Sequence, residues 1–329
     1  MARIAVIGSG SWGTSISLSL AREGHEVVLW SRRKEAADEL RSSGENKRYL
    51  PGVKLPESII HTSDIACVRG AELIVIATPS HTVREVSRAI AREVEAEQII
   101  VSISKGFDEV TGQRLSEIIA EEIPTARVAA MSGPSHAEEV ALGMPTTNVV
   151  ASDDADAAAR IQEIFNSASF RIYTSDDIIG VELGGSLKNV IALCAGICDG
   201  LGYGDNAKAA LITRGIAEMA RLGVAMGAKL QTFSGLSGIG DLVGTCTSMH
   251  SRNRRAGILI GSGKSAAEAE AEIKMVVEGI RSARAVHALA KRFGVEMPIS
   301  REAYRVLYEG ADVKECLPRL MGRELKAED

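Results

Sequence analysis

The sequence predicts an α/β protein in which a doubly wound, mostly parallel sheet is followed by a domain made only of helices. Three observations support this fold class. Short apolar segments alternate with helical segments through the first half of the chain. A glycine-rich turn, Gly8–Gly13, lies between the first strand and the first helix. The strand pattern stops after Thr174, which predicts domains at residues 1–175 and 176–329.

The predicted strands of the first domain are short and apolar, and each is followed by a turn or a helix. Their predicted positions are Ile4–Ile7, Glu26–Trp30, Leu73–Ala77, Ile99–Ser102, Val128–Met131, Thr147–Ala151 and Phe170–Tyr173. Ligands of such sheets gather at the carboxyl ends of the strands. The glycine turn, Pro79, Lys105 and the segment Gly133–Ser135 all follow strand ends. We therefore expect these segments to converge in space.

The turn Gly8-Ser9-Gly10-Ser11-Trp12-Gly13 has the G-x-G-x-x-G spacing of a Rossmann-type dinucleotide site. Glycines allow backbone N–H groups to approach a pyrophosphate, and the start of the following helix favours its negative charge. A plain turn between a strand and a helix is the alternative interpretation. The strand before this turn and the helix after it favour dinucleotide binding.

The end of the second predicted strand indicates which dinucleotide is bound. NAD-specific sites often place an acidic residue there to bind the ribose 2′-hydroxyl. This chain has Trp30-Ser31-Arg32-Arg33 instead, and two guanidinium groups suit a 2′-phosphate. The sequence therefore favours NADP(H) over NAD(H), with a solvated helix start as the alternative role of the two arginines.

The first long helical segment of the second half carries a single lysine, Lys188. Its apolar positions at helical spacing are Leu187, Val190, Ile191, Cys194 and Ile197. Lys188 lies on another face with Gly184, Ala192 and Ala195, whose small side chains are expected to leave a hollow beside the amine. Because a desolvated lysine changes its pKa readily, this placement suits proton transfer. A surface lysine whose stem covers apolar neighbours is the alternative.

Further polar candidates lie in glycine-rich segments and at a helix start. Asp241 could supply a partner charge for Lys188, raising the lysine's pKa, whereas Lys105 would lower that pKa. Ser251-Arg252-Asn253 has the composition of a phosphate site at a helix start, with an N-cap and a solvated arginine run as the alternative. His136 is a weaker acid/base candidate than Lys188, since nothing nearby in sequence orients it.

Composition excludes several classes of function. A net charge of −5 argues against a nucleic-acid partner, although a local cationic pocket for a small phosphorylated ligand is compatible with it. No apolar run reaches the roughly 18 residues expected of a membrane span, and no signal peptide is evident. The five scattered cysteines argue against a disulfide framework or a zinc site and favour a cytoplasmic protein that binds no metal.

Motifs along nearly the whole chain resemble those of one family. The matching segments are Gly8–Thr14, Tyr49–Gly52, Ser104–Gly106, Gly133–Glu139, Gly185–Asn189, Gly204–Ala209, Gly240–Leu242, Ser251–Asn253 and Val277–Gly279. In this order they resemble the NAD(P)-dependent sn-glycerol-3-phosphate dehydrogenase family of the bacterial type. The resemblance implies reversible reduction of dihydroxyacetone phosphate to sn-glycerol 3-phosphate, which supplies glycerophospholipid synthesis. It also implies a homodimer.

The resemblance assigns roles to individual residues. Lys188 resembles the general acid/base, and Lys105 resembles a second lysine near nicotinamide and substrate, with Asp241 completing the catalytic set. The implied substrate-binding residues are Lys105, Gly133, Ser135, Lys188, Asp241, Ser251, Arg252 and Asn253. The implied coenzyme-binding residues are Gly8, Gly10, Ser11, Trp12, Gly13, Arg32, Arg33, Tyr49, Lys105, Ala137, Arg252, Val276 and Glu278.

Two residues depart from the commonest pattern of that family. His136 stands where an aromatic residue such as Phe is common, and Ser186 stands where Ala is common. Neither is expected to touch a position assigned to the chemistry. Two other functions stay open on sequence grounds: a β-hydroxyacid or 6-phosphogluconate type of dehydrogenase, and a coenzyme-binding regulator without turnover. The combination of Lys188, Lys105, Asp241 and Arg252 argues against the regulator, which would need only the first domain.

Overall fold

The computed structural model describes residues 1–325 and 327–328, and this part of the chain forms one sheet with helices around it and after it. The strands are β1 Arg3–Ile7, β2 Glu26–Trp30, β3 Ile60–Thr62, β4 Leu73–Ile76, β5 Ile99–Ser102, β6 Arg127–Ser132, β7 Thr146–Ala151 and β8 Phe170–Ser175. The helices of the sheet domain are α1 Ser11–Arg22, α2 Lys34–Ser43, α3 Val83–Ile90, α4 Leu115–Glu122, α5 Ala137–Ala141 and α6 Ala155–Phe165. The later helices are α7 Ile178–Gly200, α8 Asp205–Ala225, α9 Asp241–Thr247, α10 Arg252–Gly261, α11 Ala266–Ile273, α12 Glu278–Phe293, α13 Pro298–Tyr308 and α14 Cys316–Met321.

The strands lie in the order β3-β2-β1-β4-β5-β6-β7-β8, and every pair except β6–β7 is parallel. The predicted fold class, a doubly wound sheet followed by helices, is confirmed. The sequence did not predict β3, because Ile60-His61-Thr62 is too short to give an apolar pattern. The antiparallel β6–β7 pair was not predicted either. The connection between these strands, residues 133–145, holds only the short helix α5.

Both faces of the sheet are covered, as alternating side chains of β1 demonstrate. Ile4 and Val6 pack into one core, and Ala5 and Ile7 pack into the core on the other face. This alternation follows from the two-residue period of a strand, so a continuous apolar run is needed when both faces are buried. The carboxyl ends of the strands are therefore the part of the sheet left for a ligand.

Helix α7 is the central helix of the second domain. It packs against α8, α9, α10 and α12 and contacts β6 of the sheet. In the described part of the chain, α7 alone has the length and apolar composition of a membrane span, but 89% of its most apolar window is buried inside the protein. Both predicted faces of α7 are covered, since Leu187 of the apolar face and Ala192 and Ala195 of the small face all lie in one core.

The border between the two predicted domains lies close to the start of α7. Strand β8 ends at Ser175, and α7 begins at Ile178 after its N-cap Asp177. The Asp177 carboxylate accepts a hydrogen bond from the N–H of Gly180 at 2.8 Å, which fixes this helix start. The division into residues 1–175 and 176–329 stays a prediction, and Lys326 and Asp329 lie outside the described residues.

Helices α7 and α10 touch through their backbones at four glycines. A Cβ on Gly196 would lie 2.0 Å from the carbonyl oxygen of Arg254, and one on Gly257 would lie 2.1 Å from that of Leu193. The next turn repeats this contact with Gly200 and Gly261. Because only glycine permits such an approach, these positions bring the start of α10 close to the middle of α7.

We predict that Gly257→Ala destabilises the protein by about 1–3 kcal/mol, because its Cβ would overlap the backbone of α7 and force the helices apart. Gly204→Ala is the matched control, since a Cβ there meets nothing within 4 Å. Denaturation by urea, followed by far-UV circular dichroism, measures both variants. Equal loss of stability in the two variants would contradict the proposed backbone contact.

Candidate active site

The centre of the site is one buried carboxylate held between two lysines. The Nζ of Lys188 donates a hydrogen bond to Oδ1 of Asp241 at 2.6 Å, and the Nζ of Lys105 donates to Oδ2 at 2.6 Å. Lys105 follows β5, Lys188 lies on α7, and Asp241 begins α9. The structure thus brings together the three residues that the sequence predicted as catalytic, from distant parts of the chain.

The hollow predicted beside Lys188 is filled by backbone. A Cβ on Gly184 would lie 2.4 Å from the carbonyl oxygen of Ser237, so the π-helical turn Leu236–Gly240 rests directly on α7. Asp241 follows this turn and reaches Lys188. Gly184 on the small face therefore does not leave open space beside Lys188. It lets the backbone of the turn before Asp241 pack directly against α7.

Lys105 is also bound by the segment that follows β6. Its Nζ donates to the carbonyl oxygen of Gly133 and to Oγ of Ser135, each at 3.0 Å. Gly133 has φ of +141°, and a Cβ there would lie 2.7 Å from Oδ1 of Asn148. Glycine is thus required for the backbone to turn toward Lys105. The predicted convergence of the strand ends after β5 and β6 is observed.

The three charged groups change each other's proton affinity. Burial lowers the pKa of Lys188 from 10.5 to about 8; Lys105 acts in the same direction, and Asp241 opposes both. Burial alone would raise the pKa of the Asp241 carboxyl, but the two ammonium groups outweigh burial and hold it below its ordinary value. Lys188 therefore has a pKa near neutrality, which suits a group that both donates and accepts a proton.

Thr245 of this network and Asn189, the neighbour of Lys188 on α7, were not singled out as site residues from the sequence. Thr245 accepts a hydrogen bond at 2.6 Å from the Nζ of Lys188, and it lies one helical turn after Asp241 on α9. Asn189 accepts one at 2.8 Å from the side chain of Asn253. The i, i+4 spacing from Asp241 could have identified Thr245, since both side chains lie on one face of a helix.

In the segment at the start of α10 that was predicted to bind phosphate, two residues form hydrogen bonds within the protein and one does not. Ser251 caps α10 by accepting a hydrogen bond from the N–H of Arg254, and Asn253 accepts one from the N–H of Gly279. Between them, the half-buried Arg252 has no hydrogen-bond or ion-pair partner among the described residues, and burial lowers its pKa. A desolvated guanidinium at a helix start is suited to an anion.

The glycine turn after β1 fits a dinucleotide. Packing requires two of its glycines: a Cβ on Gly8 would lie 2.8 Å from the carbonyl oxygen of Ala77, and one on Gly13 would lie 1.9 Å from that of Gly8. Gly10, by contrast, has nothing within 4 Å of an added Cβ, and no side chain caps α1. The half-buried Ser11 and Trp12 follow it. The open backbone at a helix start matches what a pyrophosphate needs.

The groups predicted to select NADP(H) lie at the end of β2. Arg32 and Arg33 are exposed, and neither forms an ion pair within the described ranges 1–325 and 327–328. The hydroxyl of Ser31 donates to that of Ser9 at 2.7 Å, which ties this end of β2 to the glycine turn. The half-buried Tyr49 lies nearby in sequence, with the guanidinium of Arg48 at 5.1 Å from its ring centre.

The remaining predicted coenzyme positions join the two domains or line the sheet domain. Glu278, at the start of α12, accepts a hydrogen bond from the hydroxyl of Ser80 at 2.8 Å. Burial raises the pKa of this carboxyl. Val276 is half-buried just before that helix. The carbonyl oxygen of Ala137 accepts a hydrogen bond from Ser15 on α1.

His136 lies near the site but outside the lysine–carboxylate network. Its Nε2 lies 3.3 Å from the carbonyl oxygen of Gly244, and its ring centre is 5.8 Å from that of His250. Burial lowers the pKa of this imidazole. Among the residues that the structure describes, no cluster of three or more His, Cys, Asp or Glu side chains could hold a metal ion.

Comparisons with known proteins agree along the whole chain. The family model "NAD-dependent glycerol-3-phosphate dehydrogenase N-terminus" matches residues 3–158, and the corresponding C-terminus model matches residues 177–318. Glycerol-3-phosphate dehydrogenase (NAD(P)+) of Moorella thermoacetica is 54% identical over 97% of this chain and 96% of that protein. The enzyme of the same name from Geobacillus kaustophilus is 52% identical over 100% and 96%. The crystal structure of glycerol-3-phosphate dehydrogenase from Coxiella burnetii, 41% identical, has a TM-score of 0.95 and covers 98% of this chain and 99% of that one.

We predict that Asp241→Asn lowers the pKa of Lys188 below about 8, because the largest contribution that raises this pKa is lost, whereas burial and Lys105 still lower it. Protein labelled with ¹³C at the lysine Cε allows this titration to be followed by NMR, with Lys188→Met assigning the signal. Asp176→Asn removes the carboxylate of the exposed Lys229 pair and serves as the control. An unchanged or raised pKa of Lys188 in Asp241→Asn would contradict the assigned role of the carboxylate.

Proposed function

The chain belongs to the NAD-dependent glycerol-3-phosphate dehydrogenase family, and we propose that it reversibly reduces dihydroxyacetone phosphate to sn-glycerol 3-phosphate with NAD(P)H. The observation that carries this proposal is the Lys105–Asp241–Lys188 network, with the unpaired Arg252 also in the helical domain. The two lysines suit a ketone oxygen that gains negative charge, and the guanidinium suits a phosphate.

We assign the coenzyme to the carboxyl ends of β1 and β2. Backbone N–H groups of the open turn at Gly10 and the start of α1 would hold its pyrophosphate. The exposed Arg32 and Arg33 would bind a 2′-phosphate, so NADP(H) is favoured over NAD(H). When bound, the nicotinamide supplies or accepts the hydride. The other assigned coenzyme contacts are Gly8, Ser11, Trp12, Gly13, Tyr49, Lys105, Ala137, Arg252, Val276 and Glu278.

We assign the substrate to the space between the two domains. Arg252 would bind the phosphate together with the start of α10, while Ser251 and Asn253 hold that start in place. Lys105 and Lys188 would face the substrate oxygen that gains or loses a proton. Gly133 and Ser135 orient Lys105, because both accept hydrogen bonds from its amine.

Proton transfer in both directions follows from the pKa of Lys188. In reduction, the protonated amine donates a proton to the oxygen of the former ketone. In oxidation, the neutral amine accepts the proton of the hydroxyl group. A pKa of about 8 makes both forms available near neutrality. Asp241 keeps the amine in place, and Lys105 stabilises negative charge on the same oxygen.

We propose a sheet domain at residues 1–175, a helical substrate domain at 176–329, a homodimer and a cytoplasmic location. The product would supply glycerophospholipid synthesis. A β-hydroxyacid or 6-phosphogluconate type of dehydrogenase is disfavoured because both family models and the relatives of about 50% identity are glycerol-3-phosphate dehydrogenases. A regulator without turnover is disfavoured because it would not need a lysine with a lowered pKa.

We predict that initial rates with dihydroxyacetone phosphate give a higher kcat/KM for NADPH than for NADH. Changing Arg32 and Arg33 together to Ser should reduce this preference by about tenfold or more, because each charge-assisted bond to the 2′-phosphate contributes roughly 1.5–3 kcal/mol. The exposed Arg92→Ser is the control. Equal efficiency with NADH, unchanged in the double variant, would refute the NADP(H) assignment. Failure to oxidise either coenzyme would favour the regulator.

We predict that Lys188→Ala lowers kcat by about 10²–10⁴-fold, because the variant lacks its proton donor and acceptor. In the wild type, oxidation should accelerate as the pH rises through about 8, because the neutral amine is needed, and reduction should slow over the same range. Steady-state rates of oxidation and reduction, each measured from about pH 6 to about pH 10, give this pH dependence. Lys229→Ala, on an exposed lysine, is the control. A kcat of Lys188→Ala within tenfold of the wild type would reject the assignment.

A further inference from the structure

Ser186 connects the helix of Lys188 to the residue that follows Lys105. It lies on α7 and is only 2% exposed. Its hydroxyl accepts a hydrogen bond from the N–H of Gly106 at 2.9 Å and donates one to the carbonyl oxygen of Gly106 at 3.1 Å. One side chain therefore satisfies both polar backbone groups of Gly106, directly beside Lys105 and two residues before Lys188.

The backbone held by Ser186 has a conformation that only glycine adopts readily. Gly106 has φ of +144°, and a Cβ there would lie 2.6 Å from Cβ of Ser80. Since Gly106 has no side chain to pack, backbone hydrogen bonds must fix its position. The course of the chain at Gly106 in turn sets where the long, flexible stem of Lys105 begins.

A second contact between α7 and the sheet domain, formed by Glu182, is independent of Ser186. Glu182, one turn earlier on α7, accepts hydrogen bonds from the N–H of Ser116 at 2.8 Å and from the guanidinium of Arg114 at 2.6 Å. These bonds join α7 to the start of α4 in the sheet domain. The contact between the domains therefore does not depend on Ser186, and loss of its hydroxyl should affect mainly the segment after β5.

We propose that Ser186 is a positioning residue that fixes the backbone beside Lys105 so that the amines of Lys105 and Lys188 face the same substrate oxygen. This inference rests on the proposed dehydrogenase function. Ser186 forms its hydrogen bonds with Gly106, which is the neighbour of Lys105 and is not itself among the residues assigned to the chemistry. Displacement of a reacting group by about 1 Å costs much rate, so a tether at this place controls turnover without contacting substrate.

The pKa of Lys188 reports the position of Lys105. The charged or titratable groups that face this amine are Asp241 and Cys246 of α9, Lys105 after β5, and His136 before α5. The charge of Lys105 lowers the pKa of Lys188. If Lys105 moves away, this repulsion weakens and Asp241 is left to Lys188, so the pKa of Lys188 rises. A variant that is merely less stable would not show this change.

The test compares Ser186→Ala with Ser282→Ala, a buried serine of α12 whose hydroxyl has no hydrogen-bond partner among the described residues. For Ser186→Ala we expect kcat to fall about tenfold. We also expect the pH midpoint of glycerol 3-phosphate oxidation to move above about 8. Ser282→Ala should change neither quantity. Ser186→Cys, which keeps the size but weakens the hydrogen bonds, should lie between wild type and Ser186→Ala.

The lysine titration by NMR separates this inference from the proposed function, because it needs no turnover. A raised pKa of Lys188 in Ser186→Ala supports the inference, and an unchanged pKa overturns it. If the wild type does not reduce dihydroxyacetone phosphate, the proposed function fails and the titration alone decides the role of Ser186. If Ser186→Ala does not fold, the same readouts on Ser186→Cys decide it. A wild-type kcat and pH midpoint in the folded variant overturn the inference.

Discussion

The carboxylate of Asp241 is the group on which the site depends. It accepts one hydrogen bond from Lys188 and one from Lys105, and its side chain is only 3% exposed. Two buried ammonium groups would repel each other and lose their hydration without a carboxylate between them. Because Lys105 comes from the sheet domain and Lys188 from the helical domain, this ionic contact also spans the boundary between them.

Glycines explain how the buried charges reach each other. Gly184 lets the turn before Asp241 rest on α7, and Gly196 with Gly257 lets α10 rest on the same helix. A side chain at any of these positions would overlap backbone atoms of the neighbouring segment. Helix α7 thus serves as a common base for the carboxylate and for the segment that holds Arg252. The cost is backbone entropy, which burial of α7 on all sides offsets.

Periodicity and strand-end logic were sufficient to predict the fold class and much of the site. Apolar runs identified the parallel strands, and the rule that ligands gather at strand ends correctly joined Lys105 to Gly133 and Ser135. The edge strand Ile60–Thr62 escaped because three residues carry no pattern. Thr245 and the tether from Ser186 escaped because side-chain partners depend on tertiary contacts. The direction of the pKa change of Lys188 also required coordinates, since burial outweighs the nearby carboxylate and no sequence pattern measures burial.

The distribution of charge reconciles an acidic chain with an anionic substrate. The chain carries a net charge of −5. The site nevertheless contains three cationic side chains, Lys105, Lys188 and Arg252, and one carboxylate, Asp241, which offsets one of the three positive charges. Cationic groups gathered at one site act on a small phosphate bound there, whereas a polyanion interacts with the net negative charge of the whole chain. In the described part of the chain Arg252 forms no hydrogen bond or ion pair, although the charges of Glu278 and Glu138 act on it, so its donors are available to a ligand, while the lysine amines are bound to Asp241. On the proposed function, Arg252 therefore binds the phosphate, and Lys188 transfers the proton. Only Lys188 and its neighbour Lys105 share a carboxylate, that of Asp241, which changes the proton affinity of Lys188.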